Sequence, residues 1–133
     1  MVPMQADGVW GEISIMLCTD LPKPWGAVCG LSNLATDTPR FGCMVYEDNS
    51  DTYNFPVIPV QFGQWYTVRM EMDPATGAIQ TYLDGILVGH YLAKNASTLQ
   101  YSFIKSFIFI WTYDHTPLMA EIDNVRITGG AVP

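Results

Sequence analysis

Residues Gly63–Gly89, GQWYTVRMEMDPATGAIQTYLDGILVG, decide the fold class. Val68, Met70 and Met72 alternate with Thr67, Arg69 and Glu71, and Ile79, Thr81 and Leu83 alternate with Gln80, Tyr82 and Asp84. Successive side chains on a strand point to opposite faces, so a period of two in two adjacent segments marks half-buried antiparallel strands. Between the segments, Asp73-Pro74-Ala75-Thr76-Gly77 supplies Pro to preset φ and Gly to accept φ > 0. Asp84-Gly85 is a second turn signal, and Leu87–Leu92 continues beyond it as a further short strand. The pattern predicts that Val68, Met70 and Met72 are buried with Ile79 and Leu83. It places Arg69, Glu71, Gln80 and Tyr82 together on the opposite face.

The same grammar extends outward. Glu12–Leu17, Trp25–Leu31, Phe41–Glu47, Phe103–Tyr113 and Ala120–Ile127 read as strands, separated by polar or proline-bearing loops. Tyr53–Gln61 is extended, and Pro56 and Pro59 confine it to a sheet edge or an irregular crossing. No segment carries an apolar stripe at helical spacing; Ala93–Thr98 allows at most one turn of helix. About seven to nine short strands without crossover helices imply an all-β, two-sheet antiparallel jelly-roll sandwich and exclude a parallel α/β sheet. No repeat, low-complexity stretch or linker interrupts residues 1–133, which suits a single domain.

Composition narrows the function classes. The 133 residues are 49% hydrophobic and 14% charged, with thirteen acids against six bases and a net charge of −7. That is enough apolar material for a core. Six scattered Lys and Arg form no basic patch for nucleic acid, and the acidity disfavours anionic membranes. A glycan or other small neutral ligand fits better, or a cation. The longest apolar run, Phe103–Trp111, is broken by Lys105 and Ser106 and falls short of the roughly 20 residues of a membrane helix. The start, MVPMQAD, has neither a basic n-region nor an apolar h-region, so no signal peptide is read there. Cys18, Cys29 and Cys43 are odd in number and include no CxxC pair, which argues against zinc. Free buried thiols are the plain reading; one disulfide with one thiol left over is the alternative. Asn95-Ala96-Ser97 fits the glycosylation sequon, which matters only in a secretory eukaryotic setting.

Three stretches, GQWYTVRME at 63–71, YLDG at 82–85 and IDNVRI at 122–127, together resemble the concanavalin A-like lectin/glucanase superfamily, and within it the laminin G-like jelly rolls found beside bacterial and phage enzymes. The resemblance runs from about Phe41 to Ile127, and its elements are specific only in combination. It implies two curved antiparallel sheets, with glycans bound on the concave face or at rim loops in many members. Some members bind calcium and some are glucanases. The resemblance also implies that Trp65 packs the sandwich. Such domains usually carry an extra N-terminal strand near the last one, yet here only the residues before Glu12 precede the first strand. The expectation is therefore that the edge near Glu12–Leu17 or Ile122–Ile127 is covered by a second copy or a neighbouring domain.

Candidate chemistry follows. Glu121-Ile122-Asp123 resembles the start of the ExDxxE motif of family 16 glycoside hydrolases, whose retaining chemistry needs two carboxyls about 5 Å apart. The second glutamate is missing: Val125 and Arg126 stand in its place. Glu121 and Asp123 then read as solvated strand residues. Arg69, Glu71, Gln80 and Tyr82 offer the polar and aromatic groups that take sugar hydroxyls and ring faces, against the plainer reading of a wet cross-strand ion pair. Phe107, Phe109, Trp111 and Tyr113 share one strand face, with Ile108 and Ile110 on the other; Trp111 and Tyr113 are binding candidates, although an aromatic row is more often core. His115 stands alone and no nucleophile motif accompanies it, so no triad is proposed. Trp25, after Lys23-Pro24, is either an exposed platform or a packing residue. Asp48, Asn49, Asp51 and Tyr53 gather oxygen ligands, as a solvated turn or as a calcium loop. The expected function is non-catalytic recognition of a carbohydrate through Arg69, Glu71, Gln80, Tyr82, Trp111, Tyr113, His115 and Trp25. The alternatives are an assembly module and a degenerate glycoside hydrolase.

Overall fold

The computed structural model describes residues 11–19, 25–32, 39–47, 51–61, 63–73, 75–94 and 104–112. These contain nine strands and no helix: β1 (Gly11–Thr19), β2 (Trp25–Ser32), β3 (Arg40–Glu47), β4 (Asp51–Asn54), β5 (Ile58–Pro59), β6 (Val68–Asp73), β7 (Ala78–Leu83), β8 (Ile86–Leu92) and β9 (Ile104–Thr112). They form two antiparallel sheets. The larger has the order β4-β3-β2-β1-β9, with β5 also paired to β3, and the smaller has the order β6-β7-β8. Each sheet is a meander, and β9 returns from the second to lie beside the first strand. The short β4 and β5 both run along the outer side of β3, which is where Pro56 and Pro59 do no harm to a ladder.

β2 sits at the centre of the large sheet and touches β6 and β7. Its inward row, Trp25, Ala27, Cys29 and Leu31, joins Phe41, Cys43 and Val45 of β3, and Ile79 and Leu83 close the layer from β7. Val68, Met70 and Met72 are partly buried against this cluster, so the alternation read from Val68 to Leu83 has the correct parity. Burying each of the larger of these side chains contributes about 1.5–3 kcal/mol of transfer free energy.

Two turns fix the small sheet. Asp84 and Gly85 both have positive φ, 50° and 81°, the conformation of a two-residue hairpin that matches strand twist. Asp84 also accepts Thr67 N–H on Oδ1 at 2.7 Å, and its own N–H donates to Thr67 O at 2.8 Å, tying the entry of β6 to the turn. At the other end, Gly77 has φ 74° and donates to Asp73 O at 2.9 Å. Asp73 Oδ2 accepts the Thr76 hydroxyl at 2.6 Å and Oδ1 accepts Ala75 N–H at 2.9 Å. The hydroxyl first, and the amide second, hold the Asp73 carboxyl below its ordinary pKa. Its small stabilising effect is present above the carboxylate range and fades as pH falls through the lowered value.

Three expectations need correction. The β1 edge is not bare: β9 covers it along its whole length, from Gly11 opposite Thr112 to Thr19 opposite Ile104, so the strand that seals it comes from the same chain. Cys29 and Cys43 form a disulfide rather than staying free, because the β2–β3 register sets them directly opposite with Cα atoms 4.1 Å apart. Only Cys18 is a free thiol, and it is buried. Trp65 does not pack the sandwich. It is 55% exposed, because the inward parity of Val68, Met70 and Met72 falls upstream on Tyr66, which packs against the core. Residues 120–127, with Glu121 and Asp123, lie outside the described residues, as do 48–50 and 95–98.

One buried acid ties the sheets together. Glu47, at the end of β3, is buried, and its Oε2 accepts the Tyr91 hydroxyl of β8 at 2.7 Å and Lys94 N–H at 3.2 Å. Removing one donor from a buried carboxylate costs about 1–3 kcal/mol. Tyr91→Phe should therefore lower the urea midpoint with an unchanged slope, and an unaltered midpoint would show the tether to be idle.

Candidate functional site

The outward face of the small sheet brings together four of the expected binding residues. Register sets Arg69 opposite Tyr82 and Glu71 opposite Gln80. The Arg69 guanidinium carbon lies 3.9 Å above the centroid of the Tyr82 ring. Arg69 Nε is 3.5 Å from Glu71 Oε1. The Tyr82 hydroxyl stands 3.2 Å from Gln80 Oε1 and 3.3 Å from Glu71 Oε2, and its single proton serves one acceptor at a time. The exposed ion pair contributes under about 1 kcal/mol to folding. Its chemical effect is larger: it holds four polar groups in fixed relation on a surface open to solvent. Because the guanidinium occupies one face of Tyr82, that face cannot also stack on a sugar ring. The surface would recognise hydroxyls mainly by hydrogen bonds.

β8 adds residues that the sequence did not single out. Tyr82 faces Leu87, Gln80 faces His90 and Ala78 faces Leu92. His90 and the two leucines are exposed. Counting back from the Asp84-Gly85 turn would put Gly89 opposite Gln80 and His90 on the inward face. A register shift beside Thr81 and Tyr82 leaves Val88 unpaired, and this moves His90 outward. The shift also brings Gly89 opposite Thr81, where a Cβ would meet the Phe55 ring and Thr81 Oγ1, each at 2.6 Å. No local sequence signal announces it.

The remaining candidates separate. Trp25 is fully buried in the core, so the platform reading is replaced by the packing one. Trp111 lies in β9, opposite Glu12 of β1 in the large sheet, and so on a different sheet from the Arg69–Tyr82 cluster. Tyr113 and His115 fall outside the described residues. Asp51 and Tyr53 belong to β4, and among the described residues no group of three His, Cys, Asp or Glu side chains is placed to hold a metal ion.

The outward face of the large sheet has a different character. At Gly26, Cys18 of β1 and Tyr46 of β3 lie opposite the same β2 residue. A Cβ there would collide with Leu17 O and come within 2.8 Å of Cys18 Cα. Burial, and then the hydrogen bond to Cys18, raise the Tyr46 hydroxyl pKa. Further along, Gly30 and Gly42 face each other, and the surface opens into a trough of about 340 Å³.

Comparison with protein families, with curated proteins and with solved structures returned no match. Fold and surface together define an all-β protein of two facing antiparallel sheets that displays a polar and aromatic face on the smaller one.

Proposed function

We propose that this domain is a non-catalytic recognition module that binds a carbohydrate on the outward face of β6–β7–β8, and that its two meanders closed by β9 are a concanavalin A-like jelly roll of the laminin G type. The observation that carries the reading is the bonded cluster of Arg69, Glu71, Gln80 and Tyr82 on one solvent-facing surface. A guanidinium, a carboxylate, an amide and a phenol supply both donors and acceptors, the set that vicinal hydroxyls require. His90 extends the row, and Leu87 and Leu92 border it with apolar surface. Calcium held by carboxylate oxygens is compatible with this reading and is not required by it.

The test is a glycan-array screen of the folded domain with Glu71→Ala and Tyr82→Ala beside it. The expected result is a saccharide signal weakened by about tenfold or more in both variants, as loss of hydrogen bonds to charged and phenolic groups implies. A blank array with the parent protein would remove the proposal.

A second reading has its own support. Ile86 is 68%, Leu92 58% and Leu87 50% exposed on β8, which ends the small sheet among the described residues. An apolar edge of this kind favours association. Light scattering that finds dimers dispersed by Leu92→Lys, alongside a blank array, would move the assignment to an assembly domain.

A further inference from the structure

We infer that the trough floored by Gly30 and Gly42 is a binding site for a small, neutral, flat aromatic ligand that carries one hydrogen-bonding edge. It lies on the outward face of the large sheet, on the other side of the molecule's core from the Arg69–Tyr82 cluster, and takes a different class of ligand.

The argument starts from why glycine stands there. A glycine inside a strand weakens it by about 0.5–1 kcal/mol, and usually marks a bulge, a forced backbone angle or a close approach. The β2–β3 register is unbroken through Gly30 opposite Gly42, so no bulge explains the pair. Neither residue has positive φ; among the described glycines those that do are Gly63, Gly77 and Gly85. At Gly42 a Cβ would meet only Val57 Cγ1, at 3.5 Å, an ordinary contact. Gly26 and Gly89 differ, because their own chain crowds the place of a side chain. At Gly42 the protein leaves open a space that it could fill.

The walls define what fits. Val28 and Met44 close one end, Ser32 and Asn54 offer polar groups, and Val57 overhangs Gly42. Among the described residues no Asp, Glu, Lys or Arg lines the trough, which favours a neutral ligand. The volume of about 340 Å³ lies at the small end of ligand sites and admits one ring system rather than an oligomer. A sugar would bury several hydroxyls against Val28, Val57 and the Met44 side chain, at a cost for each left unpaired. An aromatic ring lies flat over the open place at Gly42 and gains a sulfur contact from Met44. Its one polar substituent reaches Asn54 or Ser32.

Indole and phenol, with methyl glucoside as the sugar control, provide the test by ligand-detected NMR and titration calorimetry. Indole is expected to bind with Kd of about 0.1–1 mM, within the range that a ring of this size can reach. Gly42→Val should keep the fold, with a melting temperature no lower than the parent, and weaken indole by about tenfold or more by filling the floor. Asn54→Ala should weaken phenol without filling anything, and Tyr82→Ala should change neither ligand. Absence of indole and phenol binding overturns the inference, as does methyl glucoside competing equally. Unfolding of Gly42→Val, or of the smaller Gly42→Ala, also overturns it, because the glycine would then serve the fold. These outcomes are independent of the glycan array, whose variants lie on the other sheet.

Discussion

Trp25→Ala is expected to lower the unfolding free energy by about 3–5 kcal/mol. Among the described residues Trp25 is the largest of the fully buried side chains, at the start of the central strand and inside the layer shared with Phe41, Val45 and Ile79. Truncation to alanine removes its transfer free energy and leaves a hole that β2, paired on both sides, cannot collapse to fill. Small domains have only about 5–15 kcal/mol in hand, so the variant should sit near its threshold and unfold at much lower urea. Trp65→Ala is the internal control: the same chemical change at a 55% exposed position should shift stability by less than about 0.5 kcal/mol. Equal losses at the two positions would contradict the assignment of Trp25 to the core and Trp65 to the surface.

Loss of the Cys29–Cys43 bridge ranks second. The cysteines are separated by 14 positions, and closing a loop of that size restrains the unfolded chain by about 3 kcal/mol. A Cys29→Ala, Cys43→Ala double variant, or the parent held in reductant, should lose about that much. Cys18→Ala should lose less, because no crosslink is broken. Thiol titration in denaturant gives a direct count. One reactive thiol before reduction and three after it are expected, from a single free cysteine in a chain of three. Three thiols before reduction would mean that the facing pair is unbonded.

The hairpin from Val68 to Leu83 was legible because its inward side chains keep strict parity and its turns carry residues that accept positive φ. From that followed the shared face of Arg69, Glu71, Gln80 and Tyr82. What stayed hidden was long-range. Nothing near Glu12–Leu17 says that its partner is Ile104–Thr112, so the strand looked unprotected. Cys29 and Cys43 become neighbours only through the β2–β3 register, which residue spacing alone does not fix. Trp65 shows the opposite case. The alternation already visible downstream puts it outward, and family resemblance argued against that parity. His90 depended on a register shift without a sequence mark, and the glycine trough on two strand-interior glycines whose pairing only the sheet reveals.

The return of β9 to β1 sets an order of events. The first sheet's opening meander leaves the ribosome with one side of β1 unsatisfied, and the strand that satisfies it is made only after the whole second meander. At about 5–20 residues per second, several seconds of synthesis pass between the two. Pairing residues so far apart also raises contact order, which slows the final step. The nascent chain is therefore most open to mispairing in that interval, and its closing strand acts as a late-arriving clasp.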